Sequence, residues 1–265
     1  MFENVHFIKP DAPFIREHDP DTSPCFIFRR RFEVRAFETA RVSVCGLGYG
    51  YYYINGRRIT PDMFTAPVSN YNKTLWFNTY DVTDFLQAGG NVFTVLCGNG
   101  FFNEAFKTSW NFQEAAWRDN PKFILSLEVD GVPFLTSDEE WKCAPYAPVI
   151  YNHLRSGEHF DSRLYDPDFC AYPFDDSRWS FAVVDATPPQ GVFRECVCQP
   201  IRECAEYPTV AIIRTGTNRY VFDIGQNISG YIRLKIRQKS GDLLTIRYAE
   251  QLEEDHSLNR NKGDV

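Results

Sequence analysis

The chain has no apolar run near the roughly 18 residues that a membrane-spanning helix needs. Its start, Met1-Phe2-Glu3-Asn4-Val5-His6, lacks the basic residues and apolar core of a secretion signal. A cytoplasmic protein with no membrane partner is expected on that ground. Long helical periodicity, internal repeats and low-complexity stretches are also missing, so an α-rich fold is not expected. There is no excess of positive charge: 28 basic against 35 acidic residues leave a formal charge of −7, which offers nucleic acid no electrostatic footing. The nucleophile elbow G-x-S-x-G is absent, because Asn227-Ile228-Ser229-Gly230 lacks the first glycine at the required offset, and acyl transfer is unsupported.

Metal-binding patterns are equally scarce. His6, His18, His153, His159 and His256 show no ligand spacing. None of the eight cysteines forms a Cys-x-x-Cys pair, and the only cluster, Cys196-x-Cys198 with Cys204, has no histidine near it. Scattered cysteines in a chain without a leader read as reduced, small apolar residues, with Cys45 and Cys97 inside strand-like runs. Gly46-x-Gly48-x-Gly50 follows a strand, but another strand follows it where a nucleotide fingerprint needs a helix N-terminus.

What the chain does have is apolar and aromatic mass. Of its 265 residues, 43% are hydrophobic and 16% aromatic, which excludes disorder and allows one large domain or two ordinary ones. Strand signals dominate. Phe26 to Val34 and Arg41 to Gly46 read as strands, and Tyr51 to Ile59 as a hairpin about Asn55-Gly56, a pair that tolerates the positive φ of a type I′ turn. Asp81 to Leu86 reads as a capped helical turn before a strand over Val92 to Cys97. Phe123 to Val129 and Val132 to Leu135 pair about Asp130-Gly131, with Trp141 to Cys143 following. Residues 145–178 read as a long wrapping loop ending in the capped turn Asp175-Asp176-Ser177-Arg178-Trp179. Near the end, Tyr231 to Arg237 and Leu243 to Glu250 read as two strands around a turn at Lys239 to Asp242, the opening of a new β-domain.

The expected fold is therefore all-β: an antiparallel β-sandwich of jelly-roll, galactose-binding-like type, followed by a truncated second β-domain. Residues 1–36 form the N-terminal segment and first strands, 37–204 the sandwich, and 205–265 the incomplete second domain, with the boundary near Pro200 to Pro208.

Two ordered blocks carry a family resemblance. The first runs through Ala40-Arg41-Val42-Ser43-Val44-Cys45-Gly46-Leu47-Gly48-Tyr49, Tyr53-Ile54-Asn55-Gly56-Arg57-Arg58, Tyr71-Asn72-Lys73, Thr79-Tyr80-Asp81-Val82-Thr83-Asp84-Phe85-Leu86 and Gly98-Asn99-Gly100, and extends to Gly157-Glu158-His159-Phe160-Asp161-Ser162-Arg163 at the exit from the sandwich. The second is FDIGQNISGYIRLKI with GDLLTIRYAEQLEEDHSLNRN, beginning at Phe222 and Gly241. Together they resemble bacterial α-L-rhamnosidases of the six-hairpin glycosidase class: an N-terminal β-sandwich, then the start of a concanavalin-like β-domain. The resemblance implies that the general acid and the water-activating base lie in an (α/α)6 barrel downstream, so no catalytic residue is assigned. Glu104, Glu114, Glu158 and Asp161 are read instead as solvated or loop-bonded carboxylates. Its implied partners are a rhamnose-containing glycan and that catalytic domain. A free-standing carbohydrate-binding module is the alternative, and a self-sufficient glycosidase the third reading.

A sugar site pairs an aromatic platform with a few oriented polar groups. Residues 101–120 hold that mixture at one end of the sandwich, and Trp110, Asn111 and Trp117 are the candidate carbohydrate-binding residues, Trp110 foremost because Ser109 and Asn111 flank it. Some members of the resembled family bind rhamnose with a calcium ion. Asp119 and Asn120 offer oxygen donors of the right hardness, but two fall short of the six to eight that calcium takes, and no metal is assigned.

Overall fold

A computed structural model describes residues 2–17, 23–107 and 109–259. His18, Thr108 and the end of the second motif block, Arg260-Asn261, lie outside the described residues. The chain divides into two compact units, residues 1–202 and 203–265.

The first unit runs through β1 (Ile8–Lys9), β2 (Phe26–Val34), β3 (Ala40–Leu47), β4 (Tyr49–Ile54), β5 (Arg57–Arg58), β6 (Thr74–Asp81) and β7 (Gly89–Gly98). It continues with β8 (Lys122–Val129), β9 (Val132–Thr136), β10 (Lys142–Pro145), β11 (Val149–His153), β12 (Gly157–Phe160), β13 (Ser180–Phe181), β14 (Val183–Val184) and β15 (Val192–Glu195). Among the described residues these form one sheet in the order β14-β1-β8-β3-β6-β15, with β9 beside β8, and a second in the order β13-β10-β2-β7-β4-β5. Pairing is antiparallel except between β15 and β6. The sandwich expected from the strand signals is thus what forms, and no helix of the described residues is long and apolar enough to cross a membrane.

Side-chain alternation explains the packing. Val42 and Val44 of β3 and Phe123, Leu125 and Leu127 of β8 point from one sheet into a core shared with Phe28 of β2, Tyr52 and Ile54 of β4, and Phe93, Val95 and Cys97 of β7. Asn55 and Gly56 take φ of 52° and 81°, as the type I′ turn requires. The Asn55 side chain then ties the hairpin to the rim, accepting from Val92 N–H at 3.0 Å and donating to Asn91 Oδ1 at 2.8 Å. The glycine motif at 46–50 is a matter of packing: Gly48 has φ +103°, and a Cβ there would lie 2.1 Å from the Gly98 carbonyl oxygen.

Residues 145–178 depart from the expected loop. They contain the hairpin of β11 and β12 and a 3-10 turn over Ser162–Leu164. The alternation is weak because β12 is exposed along its whole length, so its sequence carries no buried face to read. A separate cluster, of Cys25, Ile27, Tyr146, Val149, Phe169 and Cys170, packs within and beneath this segment.

In the second unit the antiparallel pair is β16 (Ala211–Gly216) with β17 (Arg219–Asp223). The turn at Lys239 to Asp242 forms, with Asp242 N–H donating to the Lys239 carbonyl at 3.1 Å, but the strands expected over 231–237 and 243–250 do not. Their inward positions Ile232, Leu234 and Ile236 stay 38–47% exposed. A strand exists only as a paired state, and an alternating segment whose apolar face nothing covers gains too little burial to hold a ladder.

Candidate functional site

The chain leaves β7 at Gly98 and returns at Lys122, and the intervening loop has a buried polar frame. Asn99 donates through Nδ2 to the Asn152 carbonyl at 2.7 Å, and Asn103 donates to Asn99 Oδ1 at 2.9 Å. Arg118 closes the frame, donating to Asn103 Oδ1 at 3.2 Å and to the carbonyls of Gln113 and Arg16 at 2.8 and 3.1 Å. Burying a guanidinium is costly, and carbonyl-type oxygens on two of its nitrogens offset that cost. The same loop carries a chain of rings with edge or tilted contacts, Tyr49–Phe101 at 6.5 Å, Phe101–Phe112 at 5.5 Å and Phe112–Trp117 at 6.4 Å.

The three candidate residues separate here. Trp110 is 61% exposed, with the Arg155 guanidinium 5.2 Å from its ring centroid. Asn111 sits beside it on the exposed rim in the left-handed conformation, φ 53°, and leads into the 3-10 turn Phe112–Glu114. Trp117 faces inward, half-buried, with its ring edge-on to Tyr71 at 5.5 Å. Trp110 and Asn111 thus lie on the exposed rim, with Arg155 against the Trp110 ring and Gln113 donating to Asn111 Oδ1 at 3.4 Å, whereas Trp117 packs inward.

The carboxylates sort by partner. Asp161 is gripped by Arg163, with Nη2–Oδ2 2.6 Å and Nε–Oδ1 2.9 Å, and the side-chain and backbone hydrogen bonds of Arg163 hold its pKa down to about 2. Glu158 accepts from Asn152 Nδ2 at 3.3 Å and Glu114 is exposed. Glu104 is fully buried, although its aromatic, loop-like region reads as holding solvated or loop-bonded carboxylates.

Asp119 and Asn120 do not fit calcium. Asp119 Oδ2 receives the ammonium groups of Lys9 and Lys122, each at 2.6 Å, and Asp119 Oδ1 accepts the Asn120 N–H at 2.8 Å. Lys122 also pairs with buried Asp185. Two cations of the chain's own already occupy the position a metal would need. Among the described residues no group of three or more His, Cys, Asp or Glu side chains is arranged to hold a metal ion. Cys25, Cys45, Cys97, Cys143 and Cys170 are free and buried; burial raises the pKa of Cys45 and of Cys97, so both thiols stay protonated in the core.

This cluster makes stability pH-dependent. Burial alone would raise the Asp119 pKa, but hydrogen bonds from Lys122 and Lys9 overcome it and the pKa falls below the ordinary 3.8. A depressed folded-state pKa contributes stability above the unfolded value that is lost as pH falls through the folded one. Asp119→Asn is therefore expected to lower Tm at pH 7, with the deficit shrinking below about pH 4. Thermal melts from pH 2 to 8 check this, and a deficit independent of pH would show that the carboxylate charge is not the cause.

Comparison with known proteins decides the family. The family described as "Alpha-L-rhamnosidase N-terminal domain" matches residues 35–205. The chain belongs to that family. The "Bacterial alpha-L-rhamnosidase concanavalin-like domain" matches residues 213–263. Among curated relatives, an alpha-L-rhamnosidase of Formosa agariphila is 28% identical over 85% of this chain and 24% of its own length, and one of Streptomyces avermitilis is 28% identical over 83% and 21%. The solved Streptomyces avermitilis alpha-L-rhamnosidase, complexed with L-rhamnose, superposes with a TM-score of 0.81 at 26% identity, covering 92% of this chain and 24% of that one. The native Aspergillus terreus enzyme gives 0.76 at 25% identity, covering 86% and 26%. The rhamnosidase resemblance read from the two motif blocks is thereby shown. The chain spans about a quarter of the length of these rhamnosidases and corresponds to their N-terminal portion.

Proposed function

We propose that this chain serves as the non-catalytic N-terminal part of an α-L-rhamnosidase-like glycoside hydrolase, in which the sandwich supports a catalytic (α/α)6 barrel and the 99–120 loop holds a rhamnose-containing glycan. The observation that carries this reading is the order of the two family matches, sandwich then concanavalin-like segment, along a chain spanning about a quarter of its relatives. The state of the carboxylates agrees. Glycoside hydrolysis needs two carboxyl groups flanking the scissile bond; here Asp161 is tied to Arg163 and Glu104 is buried, so neither is free to act as an exposed acid or base.

Carbohydrate binding by the sandwich itself, the module reading, is favoured by the exposure of Trp110 beside Asn111. An exposed indole pairs well with the apolar face of a sugar ring, on the side that Arg155 leaves open. Calorimetric titration with L-rhamnose and an aryl rhamnoside is expected to show binding, and Trp110→Ala to weaken it about tenfold or more, since truncating a stacking aromatic costs roughly 1–3 kcal/mol. Wild-type protein that binds neither sugar would remove the binding role while leaving the supporting role in place. Turnover of the aryl rhamnoside by the purified chain would overturn the non-catalytic reading.

A further inference from the structure

Cys196-Val197-Cys198 follows directly on β15, away in sequence from the 99–120 loop. These thiols differ from those of the core. Cys25, Cys45, Cys97, Cys143 and Cys170 are buried, whereas Cys198 is exposed, Cys196 is half-buried and Val197 between them is 86% exposed. A soluble reagent therefore reaches this pair and not the core thiols.

The chain itself keeps the two sulfurs close. Residues two apart span at most about 7 Å between Cα atoms, and a disulfide takes about 4.4–6.8 Å. Cys196 is fixed to the first sheet: its N–H donates to the Phe77 carbonyl of β6 at 2.8 Å, continuing the β15–β6 ladder past its last rung, Glu195 with Phe77. Beyond it the backbone folds back, for the N–H and the thiol of Cys198 both hydrogen-bond with the Cys196 sulfur, which the Asn78 side chain also reaches. The chain then bends at Cys198 and is held again at Ile201, whose carbonyl accepts the Met63 N–H at 2.8 Å. One thiol is thus anchored on a sheet edge and the other is presented to solvent beside it. That is the arrangement of a resolving and an attacking cysteine.

We propose that Cys196 and Cys198 form a thiol–disulfide exchange site whose substrate class is small soluble disulfides. The Cys198 thiolate, the more accessible, attacks one sulfur of the soluble disulfide, forming a mixed disulfide and releasing one thiolate. The Cys196 thiolate then attacks the Cys198 sulfur, and the second thiolate leaves. Two protein S–H bonds give way to one S–S bond, while the two electrons and two protons end on the two released thiols. An exposed disulfide in so small a ring is readily reduced again, so the bond is reversible rather than structural.

The test incubates the folded full chain with mixtures of reduced and oxidised glutathione, blocks remaining thiols with iodoacetamide and digests with trypsin. Cleavage after Arg194 and Arg202 gives a peptide, Glu195 to Arg202, that carries Cys196 and Cys198 but not Cys204. In wild type this peptide is expected by mass spectrometry to lose two hydrogens and to escape alkylation, and dithiothreitol added before blocking is expected to restore both thiols. Cys196→Ser is expected to accumulate glutathione on Cys198 about tenfold or more above wild type, because the resolving thiol is gone. Cys204→Ser is expected to leave the wild-type result unchanged. A glutathione adduct that persists on wild-type Cys198, full alkylation of both cysteines in every mixture, or a cross-link from this peptide to the one holding Cys204 would overturn the proposal. The wild-type peptide decides the matter without any variant having to fold.

Discussion

Asp176→Ala is expected to destabilise the first unit by about 3–5 kcal/mol, the cost of leaving a buried charge without its counter-ion. Arg29 rises from β2 with its side chain wholly buried, donating through Nε to Asp176 Oδ2 at 3.0 Å, through Nη1 to the Phe169 carbonyl at 2.7 Å and through Nη2 to the Ala171 carbonyl at 3.1 Å. The ring of Phe174 lies 5.0 Å away, against the guanidinium. One side chain thus fastens residues 169–176 onto the outer face of the second sheet. Without the carboxylate, two carbonyl dipoles and a ring remain to hold a full positive charge out of water, which is insufficient. For a unit of this size the loss corresponds to a fall in Tm of about 6–20 °C. Asp176→Asn, which keeps an oxygen acceptor, should cost less. Denaturant unfolding of the three proteins measures the order, and an alanine variant within about 1 kcal/mol of wild type would show that water reaches the guanidinium.

The second large effect concerns Trp141, whose replacement by alanine should also cost about 3–5 kcal/mol. Its indole is fully buried, 5.9 Å from the ring of Phe93 in one sheet and 5.2 Å from that of Phe123 in the other, with Nε1 donating to the Thr136 carbonyl at 2.8 Å. Truncation would open a void between the sheets that neither can close, because each is held by its own ladder. Trp141→Phe keeps most of the volume but loses the N–H donor and should fall between. Near-UV circular dichroism with denaturant titration reports both. A native-like Trp141→Ala protein with unchanged midpoint would mean that the sheets do collapse onto the gap.

These two sites differ in how far the sequence announces them. Trp141 opens the stretch Trp141 to Cys143 that the sequence reads as a strand after a hairpin, so its place in the sandwich is legible from local pattern, while its full burial is not. The Arg29–Asp176 link was not: its members are 147 residues apart, and each has an ordinary local context. The sequence leaves either Asp176 or Ser177 as the cap of this turn, yet it is Asp175 that accepts the Ser177 N–H, at 3.0 Å, leaving Asp176 for the guanidinium. The same holds in the candidate site. Flanking polar residues made Trp110 legible as an exposed ring, because exposure at a loop tip is a local property. The burial of Glu104 and the capture of Asp119 by Lys9 and Lys122 depend on chain segments brought in from elsewhere.

By itself, then, the sequence determined the all-β class, the Asn55-Gly56 turn, most strands of the sandwich and the rhamnosidase resemblance, since each rests on side-chain period, turn conformation or contiguous motif. Tertiary structure alone decided which charges are buried and paired, that residues 149–160 form a hairpin, and that residues 231–250 form no ladder. Pairing and desolvation are long-range: a strand needs a neighbour and a carboxylate needs a partner, and neither is encoded next to it in the chain.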